Sequence, residues 1–195
     1  MLTLLMLTAC SLQPASNEVQ PSSEALKVEL TTGQFVDLPL PKQLQQNVNV
    51  SQLITAQWGE EKKQQLLVQL QVDEQRVVLA GFSAWGAKLL TLSYLNDETS
   101  NKIESSVMTG LSETLPKPEQ VLFNVMLAIW PQAAWQPSLA KIGWELKEQG
   151  LQRLLVDEDG DVVISIDYQK KPYLDGKITF QHHRLNYRVI IETNK

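Results

Sequence analysis

The sequence has few of the residues that usually support metal binding, disulfide formation or nucleophilic catalysis. It contains one cysteine, Cys10, and two histidines, His182 and His183, among 195 residues. A disulfide within the chain requires two cysteines, so no internal disulfide is possible. Adjacent residues of a strand point to opposite faces, so the two histidines are not expected to share a metal ion.

Recognisable catalytic and nucleotide-binding motifs are also missing. The chain has no Gly-x-Ser-x-Gly, no P-loop and no GxGxxG motif. Acidic residues cluster at positions 157–161, but they lack the spacing and the closing glutamate of an EF-hand, so we expect a hairpin turn there. The sequence therefore predicts a protein that is not an enzyme and that needs neither a metal nor a cofactor.

Excess basic charge and long apolar runs are absent as well. The formal net charge is −5, which argues against a nucleic-acid partner because such partners select a basic patch. No apolar run long enough for a membrane-spanning helix follows Cys10. Apolar residues nevertheless make up 43% of the chain, which is enough to form the core of one domain.

The first ten residues, MLTLLMLTAC, combine an apolar stretch with small residues before the cysteine. The segment Leu7-Thr8-Ala9-Cys10 resembles the lipobox of bacterial lipoproteins, in which the cysteine thiol receives a diacylglyceryl group. Residues 1–9 lack the usual lysine or arginine of a signal, so either the start lies upstream of Met1 or this start is unusual. The competing interpretation is a buried strand with a core cysteine. We expect residues 1–9 to be a lipoprotein signal peptide and Cys10 to be the lipidated residue.

Residues 11–24 are rich in serine, proline, glutamine and asparagine. Such a segment buries too little apolar area to order itself, so residues 10–24 are predicted to be the lipidated cysteine and a flexible tether. Ser11 stands where lipoproteins retained in the inner membrane typically carry aspartate. The lipoprotein resemblance therefore implies an outer-membrane location, with residues 25–195 forming a single domain at the periplasmic face.

Much of this domain alternates between apolar and polar residues with the period of a β-strand. Only short turns separate the alternating segments, which indicates antiparallel neighbours rather than βαβ units. Strands are predicted at residues 53–58, 66–72, 76–82, 89–95, 151–156, 162–168, 178–182 and 185–191.

One central segment has helical signals instead. Pro116 to Glu119 provide a helix start, and residues 121–130 are apolar on nearly every side, with Asn124 the only polar member. A helix on one face of a sheet would show a polar stripe, so this helix should be enclosed. The fold class predicted is α+β: a curved antiparallel sheet wrapped around an apolar helix. A second, weaker helix is expected at residues 135–149, broken near Gly143.

The order of lipobox, tether, strands, apolar helix and further strands resembles the LolA and LolB lipoprotein carrier and receptor families. This resemblance implies an unclosed β-barrel that holds acyl chains in an apolar cavity. The segment from Leu115-Pro116 to Trp130-Pro131, with the hairpin at residues 178–191, is more closely similar to a bacterial lipoprotein family, domain of unknown function family 3261. Its members are often encoded beside genes for aryl polyene lipid synthesis.

Two hypotheses of function follow. The first is a non-catalytic outer-membrane lipoprotein that binds or transfers a lipid or acyl ligand. Trp130 and Trp135 lie beside the apolar helix and are candidates for lining an apolar pocket. The residues predicted to line the ligand cavity are Val121, Leu122, Val125, Met126, Ile129 and Trp130. The second is a scaffold or assembly lipoprotein with a packed interior, whose surface binds another envelope protein.

Replacing Cys10 by serine should abolish lipidation, because only the thiolate can be alkylated. The lipoprotein signal peptidase recognises the modified cysteine, so Cys10→Ser should remain an uncut precursor or be cleaved elsewhere. The domain beyond Ala25 should fold unchanged. Metabolic labelling with a fatty acid from the native start, followed by membrane fractionation, tests this. Equal acyl label in both proteins would show that Cys10 is not the anchor.

Overall fold

A computed structural model describes residues 26–58, 62–96, 101–108 and 117–194. Cys10 and the predicted signal peptide and tether lie outside these residues. The strands are β1 (Lys27–Thr31), β2 (Gln34–Asp37), β3 (Val48–Trp58), β4 (Lys62–Val72), β5 (Arg76–Phe82), β6 (Lys88–Asn96), β7 (Asn101–Val107), β8 (Glu145–Gln149), β9 (Gln152–Val156), β10 (Val162–Tyr168), β11 (Ile178–His182) and β12 (Tyr187–Asn194). The α-helices are α1 (Pro118–Ile129) and α2 (Gln132–Ala140). Short 3₁₀ turns cover Pro41–Leu44 and Tyr173–Asp175.

Ten of the strands form one antiparallel sheet in the order β7-β6-β5-β4-β3-β12-β11-β10-β9-β8, and β1 and β2 form a separate hairpin. β7 and β8 are the edges of the sheet, which is therefore not closed into a barrel. The predicted α+β class, a curved antiparallel sheet wrapped around an apolar helix, is confirmed. None of the helices in the described part of the chain is long and apolar enough to cross a membrane.

The local strand predictions are largely confirmed. β4 and β5 pair in the register Val72↔Val77, as expected for a hairpin at residues 73–75. Val68, Leu70 and Val72 are buried on one face of β4, which is the predicted alternation. β12 begins at Tyr187 rather than at residue 185, because Asn186 has a positive φ of 47° and ends the preceding turn.

The prediction of a second helix at residues 135–149 is wrong in its second half. α2 ends at Ala140, and residues 145–149 form the edge strand β8, which pairs with β9. Gly143 and Gly150 have positive φ values of 73° and 61°, so each allows a turn that a helix could not continue through. Pairing with β9 therefore overrides the helix propensity of this segment.

α1 is enclosed as predicted. Seven of its residues are buried, and Trp130, just after it, is fully buried in an extended conformation that ends the helix. The buried residues are Leu122, Phe123, Val125, Met126, Leu127, Ala128 and Ile129.

A buried arginine fixes the end of α1. Arg153 of β9 is only 1% exposed, and its Nη1 donates to the carbonyl oxygens of Leu127 at 2.5 Å and Trp130 at 2.9 Å. Its Nη2 forms an ion pair with Glu148 on β8. The guanidinium carbon also lies 5.8 Å from the centre of the Tyr168 ring. Arg153 thus satisfies carbonyl groups that the end of a helix leaves without internal partners.

Arg153→Met should destabilise the fold strongly. The substitution leaves two buried carbonyl oxygens and the Glu148 carboxylate without their donor. Breaking a buried pair in this way lowers the free energy of unfolding by about 3–5 kcal/mol. Urea denaturation of both proteins measures the difference. Arg188→Met is the matched control, since Arg188 is exposed and bonds Gln181 on the surface. If Arg153→Met lowers the free energy of unfolding no more than Arg188→Met does, Arg153 does not have this role at the end of α1.

The two histidines lie in different environments. His182 is buried, packs on the Tyr187 ring at 5.1 Å, and accepts the Leu185 N–H at its Nδ1 at 3.2 Å. Burial, together with the positive charges of neighbouring His183 and Arg184, lowers the pKa of His182 to about 4. His182 is therefore neutral in the fold at neutral pH.

The stability contributed by neutral His182 should fall as the pH falls. An unfolded histidine titrates near pH 6.5, so between that pH and about 4 the unfolded chain binds a proton that the folded chain does not. Relative to His182→Asn, which retains a side-chain acceptor, the wild type should lose roughly 1–2 kcal/mol between pH 7 and pH 5. Urea denaturation of both proteins between pH 7 and pH 5 measures this difference. If the free energies of unfolding of the two proteins change in parallel with pH, the prediction is wrong.

Candidate functional site

A cavity of about 840 Å³ lies between α1 and the face of the sheet that α1 covers. This volume falls within the range typical of small-molecule sites. Most of its lining is apolar and comes from several strands as well as from the helix. Representative wall residues are Ile54, Leu66, Leu79, Phe180, Val189 and Ile191.

One side of α1 borders the cavity. The lining includes Gln120, Val121, Asn124 and Val125. Asn124 lies one turn after Gln120 and Val125 lies one turn after Val121, so the four residues form two neighbouring rows along the helix. At 100° per residue these four residues occupy a continuous stripe of the helix. The helix therefore presents both amide and valine side chains to the cavity.

The structure separates the six residues predicted to line the cavity into two groups. Val121 and Val125 border it. The other four are buried in the core and lie outside the lining, because they project from other sides of α1 or follow its end: Leu122, Met126, Ile129 and Trp130.

The expectation that Trp130 and Trp135 line a pocket does not match their positions. Both are fully buried, and neither borders the cavity. Trp130 donates its indole N–H to the Leu40 carbonyl at 3.1 Å, and Trp135 packs edge-on against Phe123 at 5.4 Å. The tryptophan that does border the cavity is Trp58, at the end of β3.

A glycine leaves space for two of the wall residues. Gly81 lies on the inward face of β5, between Leu79 and the end of the strand. A Cβ atom there would lie 2.8 Å from Leu66 Cδ2 and 2.9 Å from Leu90 Cγ. Such distances are too short for carbon atoms, so Gly81 allows the two leucines to lie where they do.

Three polar side chains of the lining lie close together, two on α1 and one on β12. The Tyr187 hydroxyl donates to Asn124 Oδ1 at 3.0 Å, and Gln120 Nε2 lies 3.4 Å from the same oxygen. Burial raises the pKa of Tyr187 to about 12. Tyr187 is therefore a neutral hydroxyl at neutral pH.

Charged residues occupy only part of the lining. Lys117 precedes α1 and is exposed, Glu119 lies in its first turn, and Glu29 belongs to β1. Leu185, in the turn before β12, is 58% exposed and also borders the cavity. The cavity therefore combines an apolar interior with a mixed charged and apolar opening.

A serine–histidine contact lies elsewhere on the sheet. Ser165 Oγ and His183 Nε2 are 2.9 Å apart, a pair that the sequence did not indicate because eighteen positions separate them. His183 is exposed, and neither residue belongs to the cavity lining. The contact stabilises the surface between β10 and the turn after β11.

Several crystal structures are similar to this chain at low sequence identity. An outer membrane lipoprotein-sorting protein domain from Vibrio parahaemolyticus has 6% identity and a TM-score of 0.41, with 75% of this chain and 83% of that chain covered. A LolA superfamily protein from Nitrosomonas europaea has 6% identity and a TM-score of 0.41, with coverages of 81% and 92%. A DUF1329 family protein from Desulfovibrio piger has 7% identity and a TM-score of 0.38, with coverages of 80% and 87%. At these identities no residue role is transferred to this chain.

The sequence comparisons give a more specific result. No curated protein matches the chain. The model of one family matches residues 49–195, a range that begins in β3 and includes both α-helices and the polar residues of the cavity. The chain belongs to that family, described as "Protein of unknown function (DUF3261)".

Proposed function

We propose that this protein is a non-catalytic lipoprotein that binds or transfers a lipid or acyl ligand in the periplasm. The observation that carries the proposal is the cavity of about 840 Å³ between α1 and the sheet. A domain without a ligand generally packs its interior closely, so an apolar cavity of this size requires a reason.

The lining suits an acyl chain. Aliphatic and aromatic side chains from β3, β4, β11, β12 and α1 surround the cavity. Each methylene group transferred from water into such surroundings gains about 0.8 kcal/mol, and no directional bond is needed. Burial of this kind is strong for a long chain and remains reversible, which transfer between membranes or carriers requires.

The location in this proposal rests on the resemblance of residues 7–10 to a lipobox. Lipidation of Cys10 holds the domain at the periplasmic face of the outer membrane, and the tether lets the cavity reach the lipid surface. Several acyl chains make such an anchor stable. Because relatives are often encoded beside genes for aryl polyene lipid synthesis, export of that lipid class is the process we associate with this protein.

A scaffold lipoprotein is the second candidate. Strands β7 and β8 are the edges of the sheet, and an edge strand can pair with a strand of another protein. Trp85, in the turn between β5 and β6, is 95% exposed, which is unusual for a tryptophan and suits a protein contact. Crosslinking through position 85 that recovers one envelope protein, with no lipid in the cavity, would favour this candidate.

Ala56→Phe should reduce the lipid that co-purifies with the protein. Ala56 borders the cavity two residues before the end of β3, so a phenyl ring there occupies ligand volume without displacing core residues. Wild type and variant are expressed in bacteria from the full sequence and extracted in mild detergent. Native mass spectrometry then resolves non-covalent lipid adducts from the covalent acyl groups.

Ala80→Phe is the matched control. Ala80 lies on β5 between the inward-facing Leu79 and Gly81, so its side chain points to the opposite face of the sheet. The proposal expects adducts in the wild type and in Ala80→Phe, with at least a severalfold loss in Ala56→Phe. Absence of any adduct in all three proteins, or equal adducts in all three, would refute ligand binding in this cavity.

A further inference from the structure

Three polar residues of the cavity lining contact one another and form a cluster. Gln120 and Asn124 lie one turn apart on α1, and Tyr187 faces them from the first residue of β12. Asn124 Oδ1 is within hydrogen-bond distance of both other side chains, at 3.0 Å from the Tyr187 hydroxyl and 3.4 Å from Gln120 Nε2. All three border the cavity.

The hydrogen bonds of this cluster orient the Asn124 amide. Its oxygen accepts from two donors, so its Nδ2 group points away from them. No described residue accepts a hydrogen bond from that Nδ2, and the side chain is only partly buried, at the cavity wall. An amide nitrogen carries two donor hydrogens, and leaving them unpaired in an apolar site costs free energy. The cluster therefore presents an oriented donor to any molecule in the cavity.

The charges near the cluster restrict what this donor can bind. The lining contains one lysine, Lys117, which lies one helical turn before Gln120, and two acidic residues, Glu29 and Glu119, so its net charge is not positive. The cluster itself is neutral, since Tyr187 keeps its proton at neutral pH. A carboxylate placed there would be buried in a lining with more acidic than basic residues, which is costly. A neutral oxygen acceptor is the group that fits.

We propose that Gln120, Asn124 and Tyr187 hold the carbonyl oxygen of an ester- or amide-linked acyl chain, with Asn124 Nδ2 as the donor. This inference deepens the proposed function and rests on it. The carbonyl lies at the cluster, and the hydrocarbon chain lies against the apolar walls formed by β3, β4 and β12. The site thereby distinguishes acyl esters and amides from free fatty acids and from plain hydrocarbons.

The test compares ligands that share one chain length and differ at the carbonyl. The full 195-residue chain is made by cell-free translation without lipid-modifying enzymes, so that Cys10 carries no acyl group. Dodecane, methyl dodecanoate, N-methyldodecanamide and dodecanoate each compete with the fluorescent dye N-phenyl-1-naphthylamine. The wild type should bind the ester and the amide roughly three- to tenfold more tightly than dodecane, the value of one neutral hydrogen bond. Dodecanoate should bind more weakly than the ester.

Asn124→Leu has a similar size and removes the donor. It should bind dodecane as the wild type does and lose the preference for the ester and the amide. Tyr187→Phe removes one of the groups that orient Asn124 and should reduce the preference partly, which keeps the test decisive if Asn124→Leu folds poorly. Gln64→Leu is the matched control, because Gln64 borders the cavity from β4 but is outside the cluster, and it should retain the preference.

Infrared spectroscopy tests independently whether Asn124 donates a hydrogen bond to the carbonyl oxygen of the ligand. The carbonyl stretch of ¹³C-labelled methyl dodecanoate should move to lower frequency in the wild type and in Gln64→Leu, but not in Asn124→Leu. Tighter binding of the amide than of the ester would indicate an N-acylated source, such as an acylated protein, and the reverse order would indicate an ester lipid.

The outcomes separate the two proposals. If every probe binds but the wild type shows no preference for the carbonyl compounds, or if Asn124→Leu keeps that preference, the cluster has no such role and the acyl-binding function stands. If no probe displaces the dye from the wild type, the proposed function fails and this inference fails with it.

Discussion

The geometry of the cavity depends on how Arg153 fixes the end of α1. Burying a guanidinium is costly unless its donors are paired. The two terminal nitrogens of Arg153 pair with the Leu127 and Trp130 carbonyls and with Glu148, whereas its Nε has no hydrogen-bond partner in the described part of the chain. Tyr168 on β10 adds a hydroxyl donor to the Ala128 carbonyl at 2.7 Å. Two adjacent strands thus bond to the last turn of α1. The helix can neither slide nor rotate without breaking these bonds, so the side that borders the cavity is set.

This fixed orientation gives α1 two different roles. Leu122 and Met126 are fully buried in the core, while Val121 and Asn124, on another side, border the cavity. In the described part of the chain, the two α-helices do not cover the whole inner face of the ten-stranded sheet, and the cavity lies against the part that they leave uncovered. The cavity therefore arises because the sheet face is larger than the area that the helices cover, and it does not depend on a single loop.

Local patterns were sufficient to predict most of the secondary structure, because alternation and turn residues act over short distances. Pairing between distant segments was not predictable in this way. β12 pairs with β3 along eight residues, from Tyr187↔Trp58 to Asn194↔Ser51, and thereby joins the two halves of the chain. Nothing in either strand alone specifies this partner. The side of α1 that faces the cavity could not be predicted either, because an almost wholly apolar segment has no polar stripe that indicates its orientation.

Some of the polar residues whose roles sequence reasoning missed lie in segments that are otherwise largely apolar. Arg153 and Asn124 both fit this description, and both point inward. They differ in how far their hydrogen-bonding groups are used. Arg153 bonds two carbonyls and a carboxylate, so it serves the fold, whereas Asn124 uses its oxygen and keeps its amide donor for the cavity. A buried polar residue that bonds several groups of the fold stabilises the structure, whereas a donor that faces a cavity can bind a ligand, which is the role we propose for Asn124.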